Sequence, residues 1–162
     1  MTRTTPLLGL FAFTIALLAP AISFAEDAKP TADQQALFEK FSETLTGSTL
    51  IGKFTIVGRD MPPKEERYDI KSVHKLEEAD LWLFNARVKY GDKDAVIPMP
   101  LEVKWAGKTP VITLDNVAIP GLGTFSAHVV IDGDKYAGTW THGEVSGHLF
   151  GRIEKTKSAP AE

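Results

Sequence analysis

The sequence predicts an all-β fold: an eight-stranded antiparallel up-and-down barrel preceded by one short helix. Three observations carry that prediction. From Thr49 onward apolar residues recur at every second position, the period of a strand with one buried face. Turn chemistry interrupts the alternation at short intervals, at Pro62-Pro63, Gly91-Asp92, Gly107-Lys108, Pro120-Gly121, Asp132-Gly133 and Gly143-Glu144. The chain has no cysteine, so neither disulfides nor thiolate metal sites organise it and its stability rests on a core. A two-sheet β-sandwich is the alternative arrangement of the same strands.

The N-terminus reads as a cleavable signal peptide over residues 1–25. Arg3 gives the positive start, Leu7 to Leu18 is an uncharged apolar run, and Ser23-Phe24-Ala25 places small residues at a processing site. That run is shorter than the ~20 residues needed to cross a bilayer as a helix, so an uncleaved anchor fits poorly. Cleavage after Ala21 is the weaker alternative. The expectation is an exported protein, periplasmic or extracellular, with no stable membrane insertion once the signal is removed. Residues 26–32 form a linker, residues 33–154 the domain, and residues 155–162 a fraying tail. Cleavage removes one charge, Arg3, and takes the net charge from −3 to −4. A mildly acidic chain without a basic block has no electrostatic footprint for nucleic acid or anionic lipid.

Thr31 or Asp33 can cap the helix, whose Leu37, Phe38, Phe41 and Leu45 recur at helical spacing until Gly47 ends it. Strands follow at about 49–57, 66–76, 82–90, 96–105, 109–117, 123–131, 135–142 and 145–154. Alternation points Tyr68, Ile70, Ser72 and His74 inward, then Trp82, Phe84, Ala86, Val88 and Tyr90, then Ile97, Met99, Leu101, Val103 and Trp105. The last strands add Phe125, Ala127, Val129, Ile131, Tyr136, Trp140, His142, Leu149 and Ile153. A two-residue turn at Gly143-Glu144 sets Trp140 opposite Gly147, Gly138 opposite Leu149 and Tyr136 opposite Gly151, so each bulky side chain faces a glycine. Pro98 and Pro100 lie two apart in the fourth strand, and both missing N–H groups point to one neighbour. That predicts a seam or free edge beside the fourth strand.

No segment carries a catalytic or metal signature. Gly47 to Lys53 matches most of a phosphate-binding loop, but Phe54 stands where Ser or Thr should follow, and the flanking helix and strand come in reverse order. His128 and His148 fall on the outer face with Thr139 between them, ~10 Å apart, too far to share an ion. Asp132-Gly133-Asp134 supplies too few oxygens for calcium and reads as a turn. His74 and His142 are expected to face inward, His142 partly wet near a barrel mouth and His74 hydrogen-bonded by a neighbouring tyrosine or serine.

The plan of signal peptide, short helix and eight-stranded meander over about residues 33–154 resembles a calycin, the class that includes lipocalins and streptavidin. The lipocalin Gly-x-Trp is not present: Gly47-Ser48-Thr49 and Gly52-Lys53-Phe54 both lack the tryptophan. The segments from Trp105 to Leu114 and from Tyr136 to Gly143 are similar to uncharacterised exported bacterial proteins. The plan implies an interior able to hold one small ligand. The expected function is binding of a small apolar ligand or lipid in the barrel, lined by Tyr68, His74, Trp82, Phe84, Tyr90, Trp105, Trp140 and His142, with no cofactor, no metal and no catalytic residue. The alternative is a non-catalytic structural or protein-interaction module of the cell envelope.

Overall fold

The structure, a computed structural model, describes residues 29–90 and 93–156, and the side chains of residues 88–95 are not described. The expected signal peptide, the Gly91-Asp92 turn, the Tyr90 side chain and the tail from residue 157 lie outside the described residues.

One helix, α1 (Ala32–Leu45), precedes eight strands: β1 (Ser48–Phe54), β2 (Lys64–Lys75), β3 (Leu81–Tyr90), β4 (Lys93–Ala106), β5 (Thr109–Ile119), β6 (Gly123–Asp132), β7 (Lys135–His142) and β8 (Val145–Lys155). All neighbours are antiparallel and sequential, and β1 pairs with both β2 and β8 to close the barrel. The up-and-down barrel therefore stands and the sandwich does not. Closure also removes the free edges that an open sheet would expose.

Thr31, not Asp33, caps α1. Its hydroxyl accepts from the Gln34 N–H at 3.3 Å while the Gln34 side chain accepts from the Thr31 N–H at 2.9 Å. This reciprocal box satisfies two donors that the first helical turn leaves open. Gly47, at φ +63°, then turns the chain into β1. The helix lies across one end of the barrel and seals it. Phe41 and Leu45 are buried there against Trp82, which is 1 % exposed, with Phe84, Val73 and Val103 below. The Phe38 and Phe41 rings meet Trp82 edge-on at 5.5 and 4.9 Å. Such edge-to-face contacts are worth about 0.5–1.5 kcal/mol each beyond the area they bury.

The helix also explains the largest departure from the sequence reading. Ser42 donates its hydroxyl to the Val73 carbonyl at 2.5 Å, Thr46 accepts from the Val73 N–H at 3.0 Å, and Gly47 donates to the Lys71 carbonyl at 3.3 Å. The register of β2 shifts between Ile70 and Ser72, where Lys71 is the extra residue of a bulge. Every side chain beyond a bulge changes face. Ser72 and His74, expected inside, turn outward, with Ser72 accepting from Asn85 at 2.9 Å and His74 exposed. Val73 takes the interior instead, at 0 % exposure.

The β7–β8 hairpin has the expected register: Trp140 opposite Gly147, Gly138 opposite Leu149, Tyr136 opposite Gly151. Gly143 has φ +57°. The discontinuity beside β4 is local. The β4–β5 ladder holds five pairs, from Glu102–Thr113 to Ala106–Thr109, and Pro98 and Pro100 lie beyond it. Val103 donates to the Asp80 carbonyl on the β3 side, so the prolines, at the other parity, turn their missing N–H groups toward β5. The two strands are left unpaired toward the end of the barrel remote from α1.

Candidate functional site

The interior divides into two halves, and they differ in what fills them. Under α1 the inward side chains Trp82 and Phe84 are buried among Phe41, Leu101 and Val103. Trp105, partly buried, packs 5.5 Å from Phe38 and borders a groove of about 180 Å³ between α1 and the adjoining turns, also lined by Leu37, Lys40 and Pro110. These three predicted ligand contacts are therefore packing residues of the sealed end. His74 is outside the barrel altogether.

The far half is covered much less. Phe54, Phe125 and Trp140 are only partly buried there, and Tyr68 and His142 are exposed. Phe54 and Trp140 meet edge-on at 5.7 Å and form one wall. The His142 ring stacks on Phe125 at 4.4 Å, and its Nδ1 lies 2.9 Å from the Thr124 carbonyl. A carbonyl can only accept, so Nδ1 carries the proton and Nε2 is left as the acceptor in the neutral ring. Of the predicted set, Tyr68, Trp140 and His142 are partly or largely exposed, unlike Trp82 and Phe84 under α1. The indole N–H of Trp140, like that of Trp82, is buried without a partner. A donor left in that state costs about 1–3 kcal/mol.

One polar cluster stands in this half, and its position is set by backbone register. Glu66 on β2 pairs with Gly52 on β1, Gly52 with Gly151 on β8, and Gly151 with Tyr136 on β7, giving a single row across four strands. The two glycines clear a channel for the Tyr136 ring. A Cβ on Gly52 would come 2.4 Å from the Tyr136 hydroxyl, and one on Gly151 2.8 Å from the ring edge. The ring lies along that channel and its hydroxyl donates to Glu66 Oε1 at 2.8 Å. Tyr68, two residues along β2 on the same face, donates to Oε2 at 3.0 Å.

Burial raises the Glu66 pKa above its ordinary value, and the hydrogen bonds from Tyr136 and Tyr68 only partly offset that. Burial, with the Glu66 charge and hydrogen bond behind it, also pushes the Tyr68 and Tyr136 hydroxyls up, so both remain protonated donors. Tyr68 is nonetheless 42 % exposed. Among the described residues no cationic side chain contributes to the Glu66 shift, and Lys64 on the same strand face is exposed at the rim. The cluster is, among the described residues, a partly desolvated carboxyl with two donors and no counter-ion.

Glu66 and Gly52 were missed at the sequence level. The signal was present: the inward parity of Tyr68 and Ile70 includes Glu66, and a carboxylate at an inward position is the unusual observation. On the outer wall, His128 and His148 flank Thr139 as expected. His128 lies 3.7 Å from Asp115, and His148 Nδ1 lies 3.2 Å from the Thr55 hydroxyl. Among the described residues, no three His, Cys, Asp or Glu side chains converge on a common point.

No protein-family model, curated protein or solved structure matches this chain, and the likeness of the Trp105–Leu114 and Tyr136–Gly143 segments to exported bacterial proteins finds no counterpart there.

Proposed function

We propose that this chain is an exported binding protein that holds a small, mainly apolar ligand in the half of its barrel remote from α1. The observation that carries the reading is the division of the interior. At one end the inward aromatic side chains Trp82 and Phe84 are buried beneath a helix, while those at the other end remain partly open to water. Water-facing aromatic surface inside a barrel favours any apolar molecule that can displace the water, by about 25 cal/mol per Å² covered. The calycin-like plan adds support, since barrels of this size hold one small ligand or their own side chains, and here each half does one of these. Export rests on residues 1–25, and N-terminal sequencing of protein from its host is expected to begin at Glu26.

The test is a titration with the neutral fluorophore N-phenyl-1-naphthylamine. Saturable binding near micromolar affinity is expected, corresponding to about −8 kcal/mol. Ala127 pairs with Trp140 in the open half, so Ala127→Leu is expected to abolish binding while the β-sheet circular dichroism stays unchanged. Absence of saturable binding, or binding indifferent to Ala127→Leu, overturns the proposal.

A second reading has its own observation. Val130, Ala137 and Phe150 are cross-strand neighbours on the outside of β6, β7 and β8, and Val130 and Phe150 are 39 % and 45 % exposed. A contiguous apolar row on an outer wall suits contact with another protein. Under that reading Phe150→Ser removes a partner and leaves fluorophore binding intact.

A further inference from the structure

We infer that Glu66, held by Tyr68 and Tyr136, is the recognition point for a cationic head group, and that the ligand is an apolar amine. This rests on the proposed use of the open half and adds the chemistry of what enters it.

The arrangement is specific in three respects. A carboxylate has about four lone-pair positions and the two tyrosines take two of them, one on each oxygen, which leaves acceptor capacity on both. The tyrosines can supply only one proton each and neither carries positive charge. Among the described residues no cation answers this partly desolvated carboxylate, and an ammonium group supplies both a positive charge and N–H donors. Finally, the geometry is built at a cost. Two glycines in neighbouring strands are needed to pass the Tyr136 ring to Glu66, where any side chain would collide with it. A purely cross-bracing role would need no water-exposed tyrosine, yet Tyr68 is the most exposed member of the cluster.

The same chemistry sets what is refused. A fatty-acid carboxylate would place like charge against Glu66, and a neutral alcohol could donate one hydrogen bond without answering the charge. The apolar tail has Phe54 and Trp140 to lie against: Phe54 follows Gly52 by two residues on the same strand face. The expected ligand is therefore a primary or secondary amine on a hydrocarbon or aromatic body, bound head to Glu66 and body to the aromatic wall.

Displacement of bound N-phenyl-1-naphthylamine by decylamine, decanol and decanoate at neutral pH, all below their micelle concentrations, tests this. Decylamine is expected to displace the fluorophore at a concentration at least tenfold below decanoate, with decanol between them. In Glu66→Gln that order is expected to collapse to less than twofold, and Tyr68→Phe, which keeps the carboxyl but removes one clamp, is expected to narrow it partway. Both variants are first checked for an unchanged circular dichroism spectrum and a cooperative melt. Should Glu66→Gln fail to fold, the order in the wild type and its narrowing in Tyr68→Phe decide the question. Equal displacement by all three compounds, preference for decanoate, or an amine preference that survives loss of the carboxyl overturns the inference while leaving the binding proposal standing. Failure of the fluorophore to bind at all overturns the binding proposal itself.

Discussion

At the scale of single residues, Glu66 is the group whose environment makes a measurable claim about pH. Its folded-state pKa is raised, with burial as the largest cause, so the folded protein holds this proton more tightly than the unfolded chain. The penalty for folding with a charged Glu66 is fully present above the raised pKa. It fades as the pH falls through that value and is gone below the ordinary carboxyl range. Glu66→Gln carries no such penalty. The melting temperature of Glu66→Gln minus that of the wild type is therefore expected to be larger at pH 7 than at pH 4. A difference that instead grows toward low pH would mean that Glu66 is stabilised as a carboxylate. The identity of this residue was readable from strand parity alone, but its partners were not. Tyr136 is seventy positions away and meets Glu66 only because two intervening strands present glycine in the same row.

At the scale of elements, the hairpin and the bulge show what local sequence can and cannot specify. The register of β7 against β8 follows from size complementarity across a two-residue turn, and both ingredients are local. A Cβ on Gly147 would approach the Thr55 carbonyl oxygen to 1.8 Å and the Trp140 indole nitrogen to 2.8 Å. Gly147→Val is accordingly expected to cost about 2 kcal/mol or more in denaturant melts, since neither backbone nor buried ring can give way freely. Ser146→Val, on the other face of β8, is expected to stay within about 0.5 kcal/mol. Equal effects at both positions would contradict the register. The bulge in β2 is only partly local. The run from Tyr68 to Lys75 carries the break in its own pattern, since the apolar residue after Ile70 is Val73, three positions on, and Ser42 and Thr46 of α1 take both backbone groups of Val73. Parity carried forward unbroken from Tyr68 and Ile70 points His74 inward, whereas the helix contacts to Val73 that accompany the shift come from a distant element. Pro98 and Pro100, by contrast, announce their own effect, and β4 loses its β5 partner where they stand.

At the scale of the whole molecule, the fold class and strand order follow from alternation and turn chemistry, because antiparallel neighbours joined by short turns leave little topological choice. What alternation could not give is the asymmetry between the two ends. Inward parity treats Trp82, Phe84, Trp105 and Trp140 alike, and only the docking of α1 distinguishes those it covers from the one it leaves on the open side. That asymmetry is the central claim, and the three tryptophans report on it directly. Each indole N–H gives its own cross-peak in a nitrogen–proton correlation spectrum, assignable by single Trp→Phe variants. On titration with N-phenyl-1-naphthylamine, the Trp140 cross-peak is expected to shift progressively to saturation while those of Trp82 and Trp105, packed against Phe38 and Phe41, stay in place. Movement of Trp82 or Trp105 with Trp140 silent would place the ligand at the helix-covered end and contradict the account.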